Sequence, residues 1–348
     1  MSTTVADAVA VVSCAARAQP KESPMLVSLA LIIVGFALLI GGANVLVDGA
    51  SDLAARLGLP ERVIGLTVVA IGTSLPELVV SIASAVEGHA DMALGNVVGS
   101  CMANLLLILG LTAVITPVGL SRRTQRFEIP VSVLAALALL LFANLDGNLD
   151  ALEGVVMLVA FALFLGRTAI VGLREGESGH DDADPVETPE DAEARSLAGN
   201  PVVDVALIAV GVALLKFGAD FVVENSVSIA SGLGVSERLV GITVVALGTC
   251  LPELVTSVVA AGKGNTDIAV GNVVGSNISN LLLVMGVPAL FAPVAYDLAY
   301  NVDLLMLAAS SLLLVGFCYV GERHVMTRWQ GLTFVMLYVV YIVVSALR

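Results

Sequence analysis

Charge is what this chain has least of. Only 13% of its 348 residues are Asp, Glu, Lys or Arg, 58% are hydrophobic, and the mean hydropathy is +0.98. A soluble domain carries about a quarter charged residues, so that class is excluded. Histidine is sparse: His89, His180 and His324 are scattered along the chain. The four cysteines, Cys14, Cys101, Cys250 and Cys318, fit neither a disulfide framework nor a zinc site. Cys101, Cys250 and Cys318 fall in apolar segments, where a small buried residue is the expected role. Transition metals would need His or Cys clusters, and none is present. No H-E-x-x-H sequence occurs. Asp48-Gly49 and Asp181-Asp182 lack the acidic surroundings of a head-group or prenyl transferase, so an intramembrane enzyme is not expected. Residues 1–24 lack the basic n-region of a signal peptide. Neither a resident cofactor nor a nucleic-acid partner is expected.

What the chain has is long apolar runs, several above the ~18 residues that mark a membrane span. The expected fold is an all-α polytopic membrane protein. Ten spans are predicted, near 25–48, 61–86, 91–117, 127–145, 149–172, 201–230, 237–261, 267–292, 299–320 and 326–347. The expected divisions are a tail at 1–24, a five-helix half at 25–172, an acidic linker at 173–200 and a second half at 201–348. Much of the net charge of -14 is that linker: residues 175–193 hold nine carboxylates, two prolines and no Lys or Arg. Such a segment is solvated and cannot build a core. Five spans per half is odd, so the halves insert in opposite senses. If the N-terminus is outside, ten basic residues fall on the inner side and four on the outer. The bias favours both termini outside and the linker in the cytoplasm of a cell (inner) membrane.

The halves repeat one another. Residues 58–118 align with 234–294 at a constant offset of 176 without a gap, and 34 of 61 positions are identical. The second span carries Gly72-Thr73-Ser74-Leu75-Pro76-Glu77 and the seventh Gly248-Thr249-Cys250-Leu251-Pro252-Glu253. A carboxylate at membrane depth is expensive and marks a functional site by default. Two at matching repeat positions mark a transporter site at the repeat interface. Pro76 and Pro252 remove an N–H, so a carbonyl one turn back, near Gly72 or Gly248, loses its helical partner. Broken backbone at that depth survives only where protein or a polar cavity satisfies it. The third and eighth spans add Asn96, Ser100 and Asn104, and Asn272, Ser276 and Asn280, spaced i, i+4, i+8 along one face. Gly95-x3-Gly99 and Gly271-x3-Gly275 let helix backbones approach closely.

Each residue also has a plainer reading. Glu77 and Glu253 could be hydrogen-bonded bridges between helices. Asn104 and Asn280 could do no more than tie helices together. Thr73, Ser74 and Thr249 could bond back to their own helix carbonyls. Asn96 and Asn272 read equally as ligands or as ties holding the broken helices. Asp91 and Asp267 read as helix caps, and Asp48 and Glu224 as interfacial charges. The duplication beside two proline breaks favours a site. Its donors are all oxygen, which suits hard cations such as Ca²⁺ or Na⁺, and two carboxylates balance one Ca²⁺.

On these motifs the chain resembles the calcium/cation antiporter superfamily, close to the sodium/calcium exchanger type. The resemblance spans about residues 25–347. It implies ten helices in inverted five-helix halves and an antiporter exchanging Ca²⁺ for Na⁺ by alternating access. Glu77, Thr73, Ser74, Ser100 and Asn104 match the family's ligands in the first repeat, and Glu253, Thr249, Ser276 and Asn280 in the second. It also implicates the carbonyls of Ala70 and Ala246. Two positions depart from the family pattern. Asn280 stands where many members have an acid, and Cys250 stands where a hydroxyl is expected. These bear on the coupling ion, with Ca²⁺/H⁺ exchange the alternative, and a passive channel is the competing class. The family's long regulatory domains are not expected in so short a linker.

Overall fold

The computed structural model describes residues 25–87, 90–178, 200–233, 246–320 and 324–347. The tail at 1–24 and most of the acidic linker, residues 179–199, lie outside the described residues. Eight described helices are long and apolar enough to cross a membrane: Met25–Leu57, Ala93–Ile115, Thr124–Leu145, Ala151–Arg174, Pro201–Gly232, Thr266–Ala289, Tyr300–Phe317 and Arg328–Ser345. They are the first, third to sixth and eighth to tenth spans. The second is a broken pair, Glu61–Thr73 and Leu75–Val86. The seventh is described from residue 246, through Ala246–Gly248 and Leu251–Gly262.

The first helix runs to Leu57, well past the expected end at 48. Asp48 does not stop it, because Lys263 pairs with Asp48 at 2.6 Å. At 33 and 32 residues the first and sixth helices are each roughly 50 Å long. A hydrocarbon core is about 30 Å thick, so they cross tilted or protrude beyond it. They run antiparallel along a glycine seam. Gly35 faces Gly218, Gly42 faces Gly211 and Gly49 faces Asp204, with ideal Cβ positions 2.8–3.1 Å from the partner backbone. The seven-residue spacing keeps these glycines on one stripe.

Two short ladders report the inverted symmetry. β1 (Val118–Gly119) pairs antiparallel with β4 (Val325–Met326), and β2 (Asn148–Leu149) with β3 (Val294–Ala295). Each joins the third-to-fourth connection of one half to the fourth-to-fifth connection of the other. One lies at the face of the linker, the other at the face of the chain termini. Burial separates core from rim. The eighth span is 94% buried and the third 72%, against 22–44% for the first, fourth, fifth, sixth, ninth and tenth. The rim helices turn Leu, Ile, Val and Phe outward, as lipid contact requires. The expectation of buried cysteines holds for Cys101, Cys250 and Cys318, which form no disulfide among the described residues.

Pseudo-equivalent interfaces differ. The second piece of the seventh span packs along the first span. Its counterpart, Leu75–Val86, is separated from the sixth span by a cavity of about 360 Å³. The linker face is closed by inter-helix ion pairs: Arg56 with Asp204, Lys263 with Asp48, and Arg62 with Glu128 at 3.5 Å.

Candidate cation-binding site

The second span breaks at Ser74 (φ −82, ψ 2), and its two pieces meet at 44°. The seventh breaks in the same way at Cys250 (φ −88, ψ 0). Pro76 and Pro252 have no N–H to offer Gly72 and Gly248. The Ala70 carbonyl still accepts the Ser74 N–H at 3.1 Å. Each break starts a fresh helix N-terminus, and Glu77 and Glu253 sit in its first turn. Orphan N–H groups and the helix dipole favour negative charge there.

Asn96 and Asn272 brace the breaks. Asn96 Nδ2 donates to the Glu77 carbonyl at 3.3 Å and to Ser81 Oγ at 3.2 Å. Asn272 Nδ2 donates to the Glu253 carbonyl at 3.2 Å and to Ser257 Oγ at 2.9 Å. The two halves therefore use the same tie. Thr73 Oγ1 lies 3.1 Å from Asn272 Oδ1, 3.3 Å from the Ala70 carbonyl and 3.5 Å from Ser276 Oγ. Ser276 Oγ is in turn 3.5 Å from the Ala70 carbonyl. Thr73, Ala70, Asn272 and Ser276 thus form one knot from both halves.

Glycine allows the knot. A Cβ on Gly275 would stand 2.7 Å from Ala70 Cβ and 2.7 Å from the Leu66 carbonyl. One on Gly271 would stand 2.9 Å from the Arg62 carbonyl. The expected close approach is therefore made by the eighth span against the second. Gly99 meets nothing within 4 Å among the described residues.

Several further polar atoms are buried with no hydrogen-bond partner among the described residues: both carboxylate oxygens of Glu77 and of Glu253, both side-chain polar atoms of Asn104 and Asn280, and the Ser74 hydroxyl. All five residues are at most 2% exposed. The glutamates are close enough to repel each other. The hydroxyls of Thr73 and Ser74 are neighbours of Glu253, outside hydrogen-bond geometry with its oxygens. The Cys250 thiol lies beside the Ser100 hydroxyl and 3.9 Å from Thr249 Oγ1. Cys101 Sγ lies 3.8 Å from the carbonyl of Asn277. These two are repeat counterparts, and a residue that touches its own counterpart sits on the pseudo-two-fold axis. The site therefore lies at the repeat interface.

Such a set is costly to bury. An uncompensated carboxylate costs several kcal/mol even after relaxation, and orphaned buried polar atoms call for an explanation. Among the described residues no group of three His, Cys, Asp or Glu side chains is arranged to hold a metal ion. A cation held here takes two carboxylates and otherwise neutral oxygens. That composition fits a hard cation of flexible coordination.

Several features were not expected. Asn104 lies in a π-helical turn, Ala103–Ile108, and Asn280 opens another, Asn280–Val284. These wider turns alter the even i, i+4, i+8 face and are frequent at functional sites. Thr256, Asn277 and Ser279 also carry buried unpartnered polar atoms. They stand where the first half has Val80, Cys101 and Ala103, so the differences between the repeats were the signal. The expected cap at Asp267 is displaced: Asn265 occupies the cap position and Asp267 lies in the first turn. The side chains of Asp91 and Ala246 lie outside the described residues.

Related sequences and a similar fold occur in known proteins. The family described as Sodium/calcium exchanger protein matches residues 27–168 and 203–347. The inner membrane protein YrbG of Escherichia coli (strain K12) is 37% identical over 85% of this chain and 90% of its own length. The sodium/calcium exchanger MaX1 of Methanosarcina acetivorans is 33% identical over 84% of this chain and 91% of its own length. Among solved structures, the sodium-calcium exchanger NCX_Mj, soaked with 10 mM Na⁺ and zero Ca²⁺, superposes with a TM-score of 0.77 at 30% identity. It is matched over 93% of this chain and 100% of its own.

Proposed function

Because the chain belongs to the sodium/calcium exchanger family, we propose that it is a secondary antiporter exchanging Ca²⁺ for Na⁺ through one site at the repeat interface. The observation that carries this reading is the pair Glu77 and Glu253, fully buried with no hydrogen-bond partner among the described residues on any carboxylate oxygen. Both MaX1 and NCX_Mj are sodium/calcium exchangers by name. Glu77 and Glu253 supply the charge that balances Ca²⁺. Thr73, Ser74, Ser100 and Asn104, with Thr249, Ser276 and Asn280, supply neutral oxygens, and the carbonyls of Ala70 and Ala246 complete the set. Asn96 and Asn272 position the glutamates through their backbone carbonyls.

Alternating access follows from the unequal interfaces. The second piece of the seventh span packs on the first, while a cavity separates the second piece of the second span from the sixth. Exchanging those two arrangements between the inverted halves would move the opening from the termini face to the linker face. With both termini outside and residues 173–200 in the cytoplasm of a cell membrane, the open side is the exterior. YrbG is an inner membrane protein by name, in keeping with that location.

The test is uptake of radioactive Ca²⁺ into proteoliposomes under an imposed Na⁺ gradient, an H⁺ gradient, or neither. Uptake driven by the Na⁺ gradient is the expected result. Uptake driven only by H⁺ would replace the coupling ion, and equal flux without a gradient would make the protein a channel.

A further inference from the structure

One ion pair lies apart from those that close the linker face. Lys216 and Asp220 form an i, i+4 ion pair on the sixth span. Lys216 is the sixteenth of the 32 residues in that membrane-spanning helix, half way along it. An ionisable side chain there is costly and functional by default. A general structural need does not explain it, because the first span holds its counterpart positions with Ile40 and Asn44. The first span packs without a charge at that point, and Asn44 bonds back to the Ile40 carbonyl at 2.9 Å.

Its surroundings point to the cations. Lys216 lines the same 360 Å³ cavity as Thr73, Pro76 and Pro252, all members of the two broken segments. Lys216 lines that cavity and Asp220 does not, so the pair presents its ammonium end to the broken segments that carry the glutamates.

We infer that Lys216, anchored by Asp220, is a specificity-determining residue that sets the balance between divalent and monovalent cations at the Glu77–Glu253 site. The inference rests on the cation-exchange reading above. A fixed positive charge raises the potential at the site. A divalent ion feels that potential twice, a monovalent ion once. The ammonium thus restrains Ca²⁺ affinity more than Na⁺ affinity and keeps the two in a range where one can displace the other. Asp220 prevents the ammonium from entering the site itself as a competing cation.

The square relation makes this testable. Lys216→Met keeps the length of the side chain and removes its charge. If Na⁺ binds about threefold more tightly in this variant, Ca²⁺ and Sr²⁺ should each bind roughly tenfold more tightly, the square of the Na⁺ factor. Asp220→Asn should move all three the opposite way, again with the divalent ions moving more. Lys216→Arg should stay at wild type. The double variant Lys216→Met/Asp220→Asn removes a neutral pair and should fall between Lys216→Met and wild type. Binding is read by calorimetry on the purified full chain, and Ca²⁺ uptake in proteoliposomes is measured beside it. A merely structural pair would shift thermal stability and leave the divalent-to-monovalent ratio unchanged. Equal factors for Ca²⁺ and Na⁺ in Lys216→Met, with wild-type uptake intact, would overturn the inference alone. If Lys216→Met does not fold, Lys216→Gln gives the same readout. Wild-type protein that neither binds nor transports Ca²⁺ would instead overturn the exchange reading.

Discussion

Gly275→Ala tests whether the site depends on the close contact of two helices. In the present structure the added Cβ would lie 2.7 Å from Ala70 Cβ, 2.7 Å from the Leu66 carbonyl and 2.8 Å from Leu66 Cα. Two of these are backbone atoms and the third is a Cβ, so no flexible side chain can yield. Ordinary contact begins near 3.4 Å, and the eighth span must retreat from the second by about 0.7 Å. Overpacking of this kind costs about 1–3 kcal/mol. The retreat acts on Ala70 and Ser276, whose carbonyl and hydroxyl are 3.5 Å apart, and on the 3.1 Å contact of Thr73 with Asn272. Calcium–oxygen distances lie within about 2.3–2.6 Å. A shift of that size therefore opens the cage beyond what the ion can span. The expected result is a lower melting temperature in detergent and Ca²⁺ affinity weaker by at least about tenfold, corresponding to roughly 1.4 kcal/mol. Gly166→Ala, where nothing lies within 4 Å, serves as the control and should match wild type in both measurements. A Gly275→Ala protein with unchanged melting temperature and Ca²⁺ affinity would refute the reasoning.

Asn280→Asp places a third carboxylate among the cations. At an effective dielectric near 20 and ~4 Å, unit charges interact by roughly 4 kcal/mol, and a divalent ion feels the added charge twice, so Ca²⁺ should bind more tightly and Na⁺ should displace it only at higher concentration. An unchanged competition curve would remove the eighth span's amide from the ion path. For the orientation, Gly179→Cys in a background without the other cysteines should react with an impermeant thiol reagent only in inside-out vesicles. Labelling on intact cells would reverse the assignment of faces.

The membrane class, the two inverted halves and the paired glutamates were legible because each leaves a one-dimensional trace. Apolar runs, a constant offset and a proline beside a carboxylate need no coordinates. The dual character of Asn96 and Asn272 was legible only as a choice. The structure shows their amides bonded to the glutamate carbonyls just past each break, a tie between spans that sequence spacing does not distinguish from ligation. The wide turns at Asn104 and Asn280 were not legible, since a π-helical turn leaves no periodic signature in so apolar a segment. The first helix runs to Leu57, past the end expected at Asp48, because a charge reads as a boundary in sequence while its ion pair with Lys263 carries it inside the helix.

The central claim is that Glu77 and Glu253 together hold the transported cation. Calorimetric titration of Ca²⁺ into purified wild-type, Glu77→Gln and Glu253→Gln protein measures it directly. An amide keeps the shape of each side chain and removes one of the two charges facing the ion. Breaking a buried ion pair costs about 3–5 kcal/mol, a factor of roughly 10²–10⁴ in affinity. Each substitution alone should therefore abolish measurable binding in protein that remains folded. Ca²⁺ affinity within threefold of wild type in either variant would contradict the account.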